Sequence, residues 1–318
     1  MNATDNIAQR IAWVFPGQGS QYVGMGQRVY EVSDAARRIF NQADDVLGFS
    51  ISSMCFNGPA DELEDTINAQ PAIFTVSVAY LEALRERSRV LGRSIAPLYV
   101  AGHSLGEFTA LVAAGAIDFR DALILVRERG RLMKQSGEER PGGMAAVIGL
   151  DREPLEQVCR EAGDVGIVVL ANHNCPGQSV ISGEIAALER AMELAEERGA
   201  RRTIRLGISI ASHSPLMERA ATQLNELIAK VPLRDPEVPV VANITGQILT
   251  TVDDVRHELS QQVLMPVQWS SSVKEMLNGG VTTFLEVGPG QVLSGLIRRI
   301  RRDVQTLSAK DYGVYGQE

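Results

Sequence analysis

Cysteine is scarce: only Cys55, Cys159 and Cys175 occur in 318 residues, far apart and in no CxxC or metal-ligand spacing. That excludes a disulfide framework and a zinc module, and leaves small thiols suited to a reducing cytoplasm. None of the three has the sequence setting of a nucleophile. Long apolar runs are also missing. No stretch approaches the roughly 18 residues that a membrane span needs, and residues 1–10 are polar, without the apolar segment of a signal peptide. A soluble, cytoplasmic protein is expected. Basic charge is not in excess, the net charge being −8, which argues against a general nucleic-acid binder. Polar low-complexity tracts and internal repeats are absent too, so disorder is not expected.

What is present is a globular composition, 45% hydrophobic and 22% charged, long enough for a sizeable core. Strand-like and helix-like segments alternate, which predicts an α/β protein. Strands are predicted over 11–15 and 98–102, each closed by glycine or Pro-Gly, and helices from Leu105 to about Gly115 and over 121–133. Residues 135–143 are polar and end in Pro141-Gly142-Gly143, which reads as a linker. The order strand 144–148, helix 153–161, strands 167–171 and 179–182, helix 184–198, strand 203–206 is βαββαβ, the ferredoxin-like unit. A helix over 215–231 and strands over 238–243 and 283–287 follow. The expected organisation is therefore a main α/β domain, 1–136 and 209–318, interrupted by a small subdomain at 137–208.

Gly102-His103-Ser104-Leu105-Gly106 fits G-x-S-x-G between a predicted strand and a predicted helix. Such a turn is too tight for flanking side chains and pushes the serine Oγ out at the strand's carboxyl end. N–H groups at the helix start can then stabilise an oxyanion. A serine nucleophile needs a base, normally histidine. Of the four histidines, His103 adjoins the serine and should point away from Oγ, His173 reads as a loop residue, and His257 falls in a polar helix. His213 sits where a strand is expected to end and a helix to begin, where α/β enzymes place catalytic groups. Two basic clusters, Arg298-Arg299 with Arg301-Arg302, and Arg201-Arg202 with Arg205, are either solvated faces or docking points for an acidic or phosphate-bearing partner.

Six motifs in order carry a family resemblance: Phe15-Pro16-Gly17-Gln18-Gly19-Ser20-Gln21, Gly102–Glu107, Arg129-Gly130-Arg131-Leu132-Met133, Ser212-His213-Ser214-Pro215-Leu216-Met217, Pro266-Val267-Gln268-Trp269 and Glu286-Val287-Gly288-Pro289-Gly290. Together they resemble the malonyl-CoA:acyl carrier protein transacylases and the related acyltransferase domains of polyketide synthases. The resemblance implies an α/β-hydrolase-like core with a ferredoxin-like insertion. It implies transfer of malonyl from coenzyme A to a carrier-protein phosphopantetheine thiol, for fatty-acid or polyketide synthesis, without metal or redox cofactor. Ser104 would be the acylated nucleophile and His213 its base, oriented by the backbone carbonyl of Gln268. The N–H groups of Gln18 and Leu105 would form the oxyanion hole, Gln18 also touching substrate, and Arg129 would pair with the malonyl carboxylate. The carrier would dock through Arg298/Arg299 or Arg201/Arg202.

Acyl preference is read two ways. Serine before the histidine, here Ser212, goes with methylmalonyl in polyketide acyltransferases, but methylmalonyl enzymes usually carry glutamine where Leu105 follows the nucleophile, and some stand-alone malonyl enzymes also have serine before the histidine. Malonyl is expected. The rival readings are a methylmalonyl enzyme, a serine (thio)esterase, and an inactive subunit that only docks carriers.

Overall fold

The computed structural model describes residues 10–92 and 96–312. Residues 1–9, nearly all of the segment read as polar and leaderless, lie outside the described residues. The strands are β1 (Ile11–Phe15), β2 (Tyr99–Gly102), β3 (Gly142–Ile148), β4 (Val168–Cys175), β5 (Gln178–Glu184), β6 (Arg202–Arg205), β7 (Val240–Val241), β8 (Ile248–Leu249), β9 (Thr283–Glu286) and β10 (Gln305–Ser308).

The main sheet has the order β10-β9-β1-β2-β7-β8. Its neighbours are parallel except β8, which runs antiparallel to β7 at the edge. Every residue of β1 is buried, as expected where helices cover both faces of a parallel sheet. β1 and β2 pair in register to their ends, Phe15 opposite Gly102. The Pro16-Gly17-Gln18 loop and the His103-Ser104 turn therefore leave the sheet side by side at its carboxyl edge, where α/β sheets bind ligands.

The second sheet, β4-β5-β3-β6, is antiparallel throughout. Helices Arg152–Ala162 and Ile185–Glu197 pack on it around a separate core that includes Val147, Leu155, Val158, Ile181 and Leu188. This is the ferredoxin-like arrangement. Its β4 bridges the main body: His173 N–H donates to the Val267 carbonyl (2.9 Å) and Val267 N–H to that of Ala171 (2.8 Å). Asn172 and Asn174 are thereby held over the carboxyl edge of the main sheet.

Three elements differ from expectation for physical reasons. The helix expected over 121–133 runs Phe119–Glu139 and absorbs most of the expected linker. Its polar residues are the wet face of a helix whose other face buries Ser136 and Gly137. It stops because Arg140 precedes Pro141, and a residue before proline is driven out of the α region; Arg140 has φ −131° and ψ 87°. Residues 215–231 begin as a 3₁₀ turn, Pro215–Met217, before the helix Glu218–Ile228. His173 lies in β4, not in a loop. Between β1 and β2, the helix Thr66–Val90 is buried nearly all round, so it lacks the one-faced periodicity by which a surface helix is read.

Candidate active site

Ser104 occupies the turn between β2 and the helix Gly106–Ala113 with φ +50°. Among the described non-glycine residues only Ser104 and His213 (φ +57°) have positive φ. Such backbone costs on the order of 1–3 kcal/mol and persists only where the surroundings over-determine it. Glycine is required on both sides of Ser104. A Cβ on Gly102 would lie 1.9 Å from the Gly106 carbonyl carbon, and one on Gly106 would lie 2.1 Å from the Phe15 oxygen. Asn243 clamps the turn: its Oδ1 accepts the Ser104 N–H (2.7 Å) and its Nδ2 donates to the Gly102 carbonyl (2.8 Å). Asn243 stands just past β7, 139 residues from Ser104, and no sequence signal marked it.

Ser104 Oγ and His213 Nε2 are 2.8 Å apart. No other described histidine reaches Ser104. His103 turns to Asn174 Oδ1 (2.8 Å) and the edge of Trp269, and His257 lies in the helix Val252–Gln261. His213 sits in an irregular stretch after β6 ends at Arg205, immediately before the 3₁₀ turn, rather than at a strand end.

The expectation that the Gln268 carbonyl orients His213 is corrected. His213 Nδ1 faces the carbonyls of Gln262 (2.8 Å) and Met265 (3.1 Å). The reason lies in helix ends. Gln262 and Met265 follow the C-terminus of Val252–Gln261, where carbonyls have no intrahelical donor. Gln268 instead opens the helix Trp269–Asn278, and its carbonyl is used by the N–H groups of Ser271 and Ser272. Both groups facing Nδ1 can only accept, so Nδ1 carries the proton and Nε2 is free to accept from Ser104. Burial and, next, the Arg129 charge push the His213 pKa down to about 3, against an upward pull from the Gln262 carbonyl.

Arg129 is 2% exposed. Its Nη1 donates to Gln70 Oε1 (2.6 Å), and its Nη2 to Ser104 Oγ (3.0 Å) and Gln262 Oε1 (3.0 Å). Nε is buried without a partner. Burial brings its pKa down to about 10, opposed by the Glu107 charge, so it remains a cation at neutral pH. No described carboxylate lies within ion-pair distance of it. The site therefore holds a buried guanidinium beside a serine hydroxyl with no anion in direct contact. Gly130 makes the placement possible: a Cβ there would meet the Thr66 carbonyl at 2.8 Å, so the two long helices approach closely enough for Arg129 to meet Gln70.

Gln18 is tied to the same chain of contacts, since its Oε1 accepts from Thr66 Oγ1 (3.0 Å), which accepts from Gln70 Nε2 (2.9 Å). Among the described residues, neither the Gln18 nor the Leu105 N–H meets a protein acceptor. Gln18, Ser104, Leu105, Arg129, Ser212 and His213 all line one cavity of about 220 Å³, closed from the second sheet by Met144, Asn172, Asn174 and Val180. Among the described residues no group of three or more His, Cys, Asp or Glu is placed to hold a metal ion.

The arginine clusters lie outside this cavity. Arg298 and Arg299 are exposed at the far end of the helix Val292–Ile300, whose first turn lines the cavity. They donate to Thr306 and Gln178 respectively. Arg201 and Arg202 pair with Ile148 at the end of β3, and Arg205 is bound to Glu189.

Residues 12–316 match the acyl transferase domain family. The chain is 45% identical over 303 residues to the malonyl CoA-acyl carrier protein transacylase of Bacillus subtilis, covering 95% of this chain and 94% of that one. It superposes on the acyl carrier protein S-malonyltransferase of Vibrio cholerae with a TM-score of 0.89 and 39% identity, covering 94% of this chain and 96% of that one. A malonyl-transacylase solved in complex with a type II polyketide acyl carrier protein also gives 0.89 and 39%, covering 94% and 95%. With a strained serine on a histidine and an unpaired buried arginine at the carboxyl edge of its sheet, the chain belongs to the acyl transferase domain family, among the malonyl CoA-acyl carrier protein transacylases.

Proposed function

We propose that the chain transfers malonyl from malonyl-CoA to the phosphopantetheine thiol of an acyl carrier protein through a malonyl ester on Ser104. The observation that carries this reading is the contact of Ser104 Oγ with both His213 Nε2 and the anion-free Arg129. In the first step His213 Nε2 takes the Ser104 proton as Oγ adds to the thioester carbonyl. The N–H groups of Gln18 and Leu105 hold the oxyanion, and the imidazolium returns its proton to coenzyme A as the C–S bond breaks. In the second step the carrier thiol gives its proton to His213, attacks the ester, and releases Ser104. Thioester becomes ester and ester becomes thioester, so neither step consumes an oxidant or reductant. The Gln262 and Met265 carbonyls fix the His213 tautomer, as an aspartate would, with less charge to stabilise the imidazolium. Mixing the protein with malonyl-CoA, then with a phosphopantetheinylated carrier, tests the reading by mass spectrometry. A Ser104 adduct that passes to the carrier supports it, and one lost to water at the same rate without carrier makes the protein a thioesterase.

The low pKa of His213 has a measurable consequence. A base must be unprotonated to act, and a lowered pKa keeps it so down to lower pH. The kcat/KM for Ser104 acylation, which reports the free enzyme, should stay flat as pH falls from 8 to about 5. A decline centred on the ordinary histidine pKa of about 6.5 would show His213 to be solvated.

Ser212 lines the cavity beside His213 and supports a second reading, acceptance of the branched methylmalonyl unit; competition between the two thioesters decides it. We place carrier docking at Arg298 and Arg299. Reversing both charges should weaken transfer to the carrier and leave acylation of Ser104 unchanged. Equal loss in both half-reactions would assign the arginines to folding or coenzyme A. Among the described residues no helix is long and apolar enough to cross a membrane, and three buried free thiols suit a reducing cytoplasm.

A further inference from the structure

Two glutamates lie behind the nucleophile turn, outside the cavity lining. Glu107, on the helix that Ser104 opens, is 0% exposed, and Glu258, on Val252–Gln261, is 2% exposed. They share a donor: the Asn243 N–H reaches Glu107 Oε1 (3.0 Å) and Glu258 Oε1 (2.9 Å). Two carboxylates this close and this dry cannot both be ionised. The donors identify the protonated partner. Both oxygens of Glu107 accept N–H groups, Oε2 from Gln262 Nε2 at 2.5 Å. On Glu258 only Oε1 does, from Asn243 and Ile244. Among the described residues Glu258 Oε2 accepts no N–H, so Glu258 is the partner with room for a proton.

The pair grips the two residues that hold the site. Asn243 clamps the Ser104 amide. Gln262 does more: its Nε2 also donates to the Ser104 carbonyl (3.1 Å), its Oε1 accepts from Arg129, and its backbone carbonyl holds His213. A carboxylate can only accept, so Glu107 dictates which end of the Gln262 amide faces it and therefore which end faces Arg129. Its single negative charge is also the one opposing the burial of Arg129.

We propose that Glu107 and Glu258 form a proton-sharing carboxyl pair of net charge −1 that positions Ser104, His213 and Arg129 through Asn243 and Gln262, and that acylation of Ser104 requires the hydrogen bond between the two side chains, which in wild type the retained proton makes. The inference rests on the malonyl-transfer reading above. Burial, then the charge of Glu107, raises the Glu258 pKa to about 9, and burial raises that of Glu107. The other titratable groups that face the pair or its two partners are Arg129, a cation, from the helix Phe119–Glu139, and the neutral His213. Raising pH through about 9 therefore adds a second negative charge that Arg129 alone must answer. The pair then separates and Gln262 is released.

The experiment follows malonyl-Ser104 formation from malonyl-CoA across pH 6–10 in wild type, Glu107→Gln and Glu258→Gln, without carrier so that its thiol does not titrate. Glu258→Gln keeps the accepting oxygen and replaces the shared proton with an amide N–H. It should retain most of the neutral rate and lose the decline of wild type centred near pH 9, leaving the one that Arg129 gives near pH 10. Glu107→Gln sets amide against amide and removes the counter-charge. It should acylate about 10²-fold more slowly, the scale of a small misplacement of reacting groups. The difference between wild type and Glu258→Gln supplies a second readout, a carboxylic-acid C=O infrared band that persists above pH 7 and titrates out near pH 9. Equal losses in the two variants, a decline centred near pH 9 that survives in Glu258→Gln, or absence of the band overturns the pair's role while leaving malonyl transfer intact. Failure of wild type to label at Ser104 overturns both.

Discussion

Ser104→Ala is expected to abolish the malonyl adduct and to lower transfer on the order of 10⁶-fold, the scale of removing a serine nucleophile that works as a unit with its base. No other side chain can replace it. Cys55, Cys159 and Cys175 are all buried, and burial raises their thiol pKa values, that of Cys159 to about 12, so little thiolate exists at neutral pH. Mass spectrometry with residue mapping checks this, and an adduct on any of the three would overturn the assignment. Ser104→Gly should be equally inactive yet more stable by about 1 kcal/mol, because glycine adopts φ +50° without the penalty a Cβ brings. A gain in melting temperature with total loss of labelling would show the strain to be tied to catalysis. His213→Ala should slow acylation by roughly 10²–10⁴, the usual range for losing a general base. An unchanged rate would require another base, and His103, held by Asn174, would have to leave its partner to serve.

Arg129→Ala should separate malonyl from acetyl. The two acyl groups differ by a carboxylate, and arginine can grip both carboxylate oxygens while staying charged when buried. Removing one partner of a buried, hydrogen-bonded charge pair costs on the order of 2–5 kcal/mol. At about 1.36 kcal/mol per tenfold, malonyl-CoA should lose roughly 30- to 5,000-fold in kcat/KM. Acetyl-CoA makes no such contact and should react as slowly as before, or faster. Lysine should restore only part of the malonyl rate, having charge without the fork. The same variant strips Gln70 and Gln262 of a donor, which threatens the fold, so the malonyl-to-acetyl ratio is the proper readout. Equal loss for both substrates would make Arg129 structural. One further effect follows from charge. Arg129 is the second largest influence lowering the His213 pKa. Its removal should therefore move the acid decline of kcat/KM toward neutrality, because the base is then protonated at higher pH.

The sequence by itself determined the nucleophile. Glycine at 102 and 106 around Ser104, between a strand and a helix, is a local steric demand, and local demands are written in adjacent residues. The βαββαβ order of the second sheet was legible for the same reason, since each of its elements carries its own periodicity. His213 was singled out from four histidines on an expected strand end that the structure does not form, although the turn of helix expected just after it is there. The role of Arg129 came only through the family resemblance, because nothing in an isolated helical segment shows that its cation is 2% exposed. What only the tertiary structure decided is everything that depends on chain ends of helices meeting distant turns. The carbonyls that hold His213 belong to Gln262 and Met265, not Gln268, and a sequence does not say which carbonyls a helix terminus leaves unused. Asn243 on the Ser104 amide, and Glu107 against Glu258 across 151 positions, are contacts made by the order of strands in the sheet. That order follows from how the whole set of apolar faces can be buried at once, which no single stretch of sequence contains.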